Sequence, residues 1–149
     1  MHGIVMGVRM WAWALVLRPL KHVAPFATLL RIVHAGPRRH RSPGFERDLE
    51  AYMTASRRFP ARAPGNCLER SLAAYRLLCA AGSRPEVLVG VRRGAAAGVE
   101  GHVWVTLDGR PLAERQEFLD TFVVVVSYDA DGRQKPVPPA EPLAGAQCA

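Results

Sequence analysis

Asn66-Cys67-Leu68-Glu69-Arg70-Ser71-Leu72, continuing through Ala73-Ala74-Tyr75-Arg76-Leu77-Leu78-Cys79-Ala80-Ala81 to Gly82, is the stretch on which the fold turns. Leu68, Leu72, Tyr75 and Cys79 recur at the three- and four-residue spacing of one helix face. Asn66 suits an N-cap, Glu69 stands three residues on as in a capping box, and Gly82 is placed to end the helix. Cys67 therefore falls in the first turn. There the unpaired N–H groups and the positive end of the macrodipole favour a thiolate, taking a thiol pKa of about 8.5 to about 3.5–7.5 at the best sites. Such a thiol is a ready nucleophile; otherwise it is a small buried residue at a helix start. Cys79, mid-helix on the apolar stripe, reads as core.

Downstream the period changes from helical to alternating. Short strand patterns cover Glu86 to Val91, His102 to Leu107 and Arg110 to Glu114, and Thr121 to Tyr128 (TFVVVVSY) adds a more continuous apolar strand. Helices followed by antiparallel strands describe an α+β domain with the cysteine helix packed on the sheet. Upstream, Phe45 to Phe59 is a further helix, with Leu49, Tyr52 and Met53 at helical spacing before Pro60. Residues 4–34 hold two apolar stretches broken by Arg18-Pro19 and Pro25, which predict a pair of short helices, and Gly36 to Gly44 is a basic linker. The expected organisation is an apolar helical arm with its linker over 1–43, a domain over 44–132, and a disordered Pro/Ala-rich tail over 133–149. The arm's Trp11, Trp13, Leu15, Leu17 and Leu20 have little chain to cover them, so the arm either caps the core or docks a partner.

Composition narrows the function classes. A chain of 149 residues, 49% apolar, has room for one modest core. Its net charge of +7, with Arg38, Arg39, His40 and Arg41 as the densest run, reads as a generally basic surface. Nucleic acid is not the expected partner, because the chain lacks helix-turn-helix, zinc-finger and RNA-binding signatures. Cys67, Cys79 and Cys148 are odd in number and form no C-x-x-C pair, which argues against a metal site and for a reducing, cytoplasmic setting. The run Met10 to Leu17 is too short to span a membrane and no clean signal cleavage site follows it.

A nucleophilic cysteine needs a histidine. His2, His22, His34 and His40 lie in the arm, leaving His102, which opens the strand His-Val-Trp-Val-Thr-Leu just after Gly101. A third member follows from the hairpin at Asp108-Gly109. A two-residue turn would put Glu114 opposite Val103 and on the wrong face, whereas a three-residue loop over Leu107 to Gly109 pairs Thr106 with Arg110 and sets Glu114 across from His102. The expectation is the longer loop, with Glu114 orienting the imidazole. Asp108, at the turn tip some 20 Å along the strand, reads as a turn residue.

Cys67-Leu68-Glu69-Arg70-Ser71-Leu72, with Gly-Val-Arg-Arg at Gly90 to Arg93, Gly101-His102-Val103-Trp104-Val105 and Asp108-Gly109, resembles the leader peptidase of lasso-peptide gene clusters over about residues 45–130. That resemblance implies a transglutaminase-like fold and cysteine-peptidase activity on a ribosomally made precursor peptide, with no cofactor or metal. It also implies a separate winged-helix leader-recognition protein, since the arm has no strand patterns to form one, and a macrolactam-forming cyclase. The family's triad carries over as Cys67, His102 and Glu114, where the family has Asp. The Cys67 N–H, and as a guess the Asn66 side chain, would serve the oxyanion. Two alternatives use the same residues: an amide-forming transferase working through the same thioester, and a non-enzymatic basic adaptor whose arm binds a protein or a membrane surface.

Overall fold

In the computed structural model, residues 2–34, 44–56, 66–94 and 98–137 are described. The element order is α1 (His2–Leu20), α2 (Phe26–Val33), α3 (Phe45–Ser56), α4 (Asn66–Ala80), β1 (Pro85–Arg93), β2 (Val99–Leu107), β3 (Arg110–Pro111), α5 (Gln116–Leu119), β4 (Val123–Tyr128) and β5 (Gln134–Lys135). The strands form one antiparallel sheet in the order β3-β2-β1-β4-β5, which is the expected α+β architecture.

α4 is the centre of the molecule. It packs on β1 and β2 on one side and on α1, α2 and α3 on the other. One apolar stripe cannot serve two layers, so burial spreads well beyond the Leu72, Tyr75 and Cys79 stripe to Ala73, Ala74, Leu77 and Leu78. Arg76 is accommodated by stacking its guanidinium 4.2 Å over the Trp13 ring and donating to the Val33 carbonyl at 3.1 Å. The helix ends as expected at Gly82 (φ +83°), with the Ser83 N–H bonded to the Leu78 carbonyl and the Gly82 N–H to that of Cys79.

The expected pair of arm helices forms, with α1, 19 residues long, running on through Pro19. Pro19 has no N–H to give the Leu15 carbonyl, and the helix stops one residue later. α2 then begins directly after Pro25, and Met10, Leu17, Leu29, Leu30 and Val33 of these two helices join the same core as α4. Glu69, read as part of a capping box, takes the Lys21 ammonium on its carboxylate at 2.7 Å, a charge-assisted bond. The β2–β3 turn has two residues, with Leu107 paired to Arg110 and Thr106 to Pro111, because Asp108 (φ +51°) and Gly109 (φ +76°) both adopt the left-handed conformation that such a turn demands. Gln134 and Lys135 pair with β4, just inside the stretch expected to be a disordered tail, while 138–149 lie outside the described residues. The linker expected over Gly36 to Gly44 falls almost wholly outside them too. Among the described residues, no helix is long and apolar enough to cross a membrane.

Candidate active site

The site forms where the edge of the sheet meets the first turn of α4. β3 is only two residues long, and among the described residues the pairing on the outer side of β2 goes no farther than the Leu112 N–H on the Val105 carbonyl. At Val103 the helix supplies what a strand would have supplied. The Ser71 hydroxyl donates to the Val103 carbonyl at 2.8 Å, and the Val103 N–H is directed at the Cys67 sulfur. Ser71 lies one turn after Cys67, so the two contacts pin the helix start against the strand in a fixed register.

His102, the residue before Val103 on β2, lies beside Cys67, near enough for the two to shift each other's titration. Its Nε2 faces the Glu114 carboxylate, 3.6 Å from Oε2, which leaves Nδ1 as the nitrogen for the thiol. At 3.6 Å, Nε2 is buried just beyond hydrogen-bond reach of Glu114, close enough for charge attraction. The other carboxylate oxygen, Oε1, accepts from the Arg70 guanidinium at 3.3 Å.

Glu114 reaches this position by a route the sequence argument did not contain. With a two-residue turn it would point to the wrong face, as reasoned from the alternation. The ladder does continue through Leu112, whose N–H bonds the Val105 carbonyl at 2.9 Å. Ala113 then adopts φ +57°, which breaks the alternation and turns the next side chain back toward His102. A left-handed alanine costs about 1–2 kcal/mol, a local strain spent in placing one carboxylate.

Under the imidazole lies an aromatic shelf. Trp104 stacks on His102 (centroids 5.9 Å, 20°), Phe118 meets it edge-on at 5.3 Å and Phe122 lies tilted at 5.3 Å. Phe118 comes from α5, and Phe122 from the turn after it. Gly90, directly across β1 from His102, makes the shelf possible: a Cβ there would stand 2.8 Å from the Trp104 ring and 2.9 Å from the Phe122 Cβ.

The electrostatics suit an ion pair. Burial, the largest influence on the Cys67 thiol, pushes its pKa up, but the hydrogen bonds from His102 and the Val103 N–H, with the charges of His102 and Arg70, outweigh it and hold the thiol below its ordinary value. For His102 burial acts against the charged form, yet the Cys67 sulfur on one side and the Glu114 carboxylate on the other raise it from 6.5 to about 9. The two shifts favour thiolate beside imidazolium. Cys79 shows the contrast: burial pushes it up to about 11 beside Tyr75. That makes Cys79 an inert core thiol.

Cys67, His102 and Glu114 thus converge, and Asp108 stays at the turn. The Asn66 side chain and Cys148 lie outside what the structure describes. Among the described residues, no cluster of three or more His, Cys, Asp or Glu side chains is placed to hold a metal ion. Sequence reasoning missed Arg70, Ser71, Gly90 and the Phe118–Phe122 pair. Arg70 and Ser71 had a signal, being three and four residues after Cys67 and so on its side of the helix; α5 is too short to have given one. No curated protein and no solved structure gives a match to the chain. The sequence model of one family, described as the transglutaminase-like superfamily, does match, over residues 8–127, a span holding all three converging residues as well as α2, α3 and most of α1. Members of that superfamily are often cysteine peptidases or transferases. With most of its length under that match, this chain belongs to the transglutaminase-like superfamily.

Proposed function

We propose that the protein is a cytoplasmic cysteine peptidase that removes the leader from a ribosomally synthesised lasso-peptide precursor. In this reading it works beside a separate winged-helix leader-binding protein and a macrolactam-forming cyclase. The observation that carries the peptidase assignment is the convergence of a depressed thiol, an elevated imidazole and a carboxylate at one sheet edge. The lasso-peptide substrate is supported by the resemblance at Cys67 to Leu72, Gly90 to Arg93 and Gly101 to Val105.

In this mechanism the Cys67 sulfur attacks the scissile carbonyl, and the oxyanion forms against the N–H groups at the start of α4, foremost that of Cys67. The imidazolium of His102 gives its proton to the leaving amine, and the C–N bond breaks to leave a thioester. His102, now neutral, takes a proton from water as the water oxygen attacks the thioester, and the thiolate returns with the imidazolium restored. Glu114 holds the ring orientation and stabilises its positive charge through both steps.

The test is mass analysis of a precursor peptide incubated with the chain and the candidate leader-binding protein, with and without an added primary amine. Leader and core fragments whose masses sum to that of the precursor plus one water, unchanged by the amine, support the peptidase. An amide adduct replacing the hydrolysed leader carboxylate would make the protein a transferase. Absence of either product with the partner present would remove the assignment.

A further inference from the structure

A helix that is apolar all round is ordinarily buried all round. α1 is not. Met10 and Leu17 are buried in the core, yet Val8, Trp11, Leu15 and Val16 on the opposite face are 64%, 63%, 58% and 48% exposed. At about 100° per residue these four fall in one continuous arc of about 140°, bounded by Arg18 on one side and Arg9 on the other. Both arginines are exposed. An apolar stripe with a basic side chain along each border and a tryptophan within it is the pattern of a helix lying in a membrane interface.

Charge supplies the second, independent observation. Residues 1–45 contain seven of the chain's 20 Lys and Arg and none of its 13 Asp and Glu, so the other 104 residues carry 13 of each. The net charge of +7 is thus confined to the arm and is not the general surface property expected from composition. Within the arm the Lys21 ammonium is bonded to Glu69, while Arg9, Arg18 and Arg31 face outward, Arg31 beside the 42% exposed Ile32.

We infer that the outer face of α1 is a docking surface for an anionic lipid bilayer, on which the helix lies in the plane of the headgroups. At 19 residues and interrupted by Arg9 and Arg18, α1 is not a span, so the chain binds the surface reversibly. An acidic protein would satisfy the arginines equally well, but it would gain little from an apolar arc spread over Val8, Trp11, Leu15 and Val16. A bilayer takes up all four side chains at once. Lys21, at the end of α1, is bonded to Glu69 two residues from Cys67, so the docked helix and the site helix are held as one piece. The inference stands apart from the proposed peptidase activity, because lipid binding needs neither Cys67 nor a substrate.

The test is co-sedimentation of the full chain carrying Cys67→Ala with vesicles of phosphatidylcholine alone, or with about a third phosphatidylglycerol. Binding is expected at least about tenfold tighter on the anionic vesicles and weaker as salt is raised. Arg9→Gln with Arg18→Gln should weaken it about 25-fold, at about fivefold per arginine. Val8→Ser, Trp11→Ser and Leu15→Ser together should abolish it while circular dichroism and Tm stay unchanged, since none of the three is in the core. Equal binding to neutral and anionic vesicles, or binding that survives the triple serine variant, would overturn the inference. So would no vesicle binding accompanied by loss of co-precipitation with the leader-binding protein in the triple variant, which would assign the face to a protein partner.

Discussion

Replacing Glu114 with Gln removes one negative charge from the site while keeping nearly the same shape, and the structure sets the size of the response. His102 titrates at about 9 where an ordinary imidazole titrates at 6.5. At about 1.4 kcal/mol per pH unit, that is on the order of 3 kcal/mol in favour of the imidazolium. Burial works against this, so it arises from the thiolate on one side of the ring and the carboxylate on the other. If the two share it evenly, Glu114 contributes on the order of 1.5 kcal/mol, or about tenfold in the population of the ion pair. In the Gln variant His102 should therefore titrate lower and the Cys67 thiol, having lost part of its cationic partner, higher. The assay is the pH dependence of alkylation by iodoacetamide in a Cys148→Ser background, where Cys79, buried and raised to about 11, stays silent near neutrality. The wild-type rate should rise through an inflection below the ordinary thiol value of 9.0, and Glu114→Gln should move that inflection up by about one pH unit. Below the inflection, the rate at a given pH falls about tenfold. An inflection that moves by less than about 0.3, with the fold intact, would mean that the 3.6 Å approach of Glu114 to Nε2 does not act on the pair.

Other perturbations separate the parts of the site. Cys67→Ala and His102→Ala should each abolish precursor cleavage with circular dichroism unchanged, because nucleophile and base act as a unit; substantial turnover in either would sink the assignment. Asp108→Asn should change neither turnover nor Tm appreciably, since asparagine adopts the left-handed conformation of this turn at least as readily, and a severe loss of turnover would bring Asp108 into the site. Gly90→Ala should destabilise by about 1–3 kcal/mol by driving a methyl group into Trp104 and Phe122, and should slow turnover beyond what the lost Tm explains because the shelf supports His102; an unchanged Tm would show that the shelf yields freely. Arg70→Gln should shift the alkylation inflection upward, as one of the influences holding the thiol low is gone, and Arg70→Lys should restore part of that shift; identical profiles for all three would reduce Arg70 to a packing role.

How far the sequence could be read depended on whether the deciding interaction was local. α4 was legible from its apolar spacing and Gly82, both of which act within a few residues. The choice of His102 rested on elimination and on strand placement, and the structure sets it against Cys67. Glu114 was chosen through a register that does not form. The turn obeys the short-range preference of Asp108-Gly109, and a single left-handed Ala113 performs the reorientation that the longer loop had been invoked to provide. Nothing in an alanine announces a positive φ, so that step could not have been read from residue types. Lys21, 48 positions before Glu69, likewise competes for that carboxylate only after α1 has packed on α4.

The glutamate at position 114 is accommodated by what surrounds it. A glutamate has one more rotatable bond than an aspartate and loses more conformational freedom when fixed. A longer carboxylate reaching an imidazole from a strained loop would therefore be a weak orienting group by itself. Here Oε1 is held by Arg70, which is fixed to the same helix as Cys67, and Oε2 is left to face His102. The carboxylate that orients the base is thus positioned by the helix that carries the nucleophile, and the half-buried charges alternate in sign from Arg70 through Glu114 and His102 to Cys67. Such a chain compensates each charge by its neighbour, which lets an ion pair persist in a site where burial alone would neutralise it. It also means that the acidic residue cannot be judged in isolation: shortening Glu114 to Asp would have to stretch the contact to Arg70, to His102, or to both.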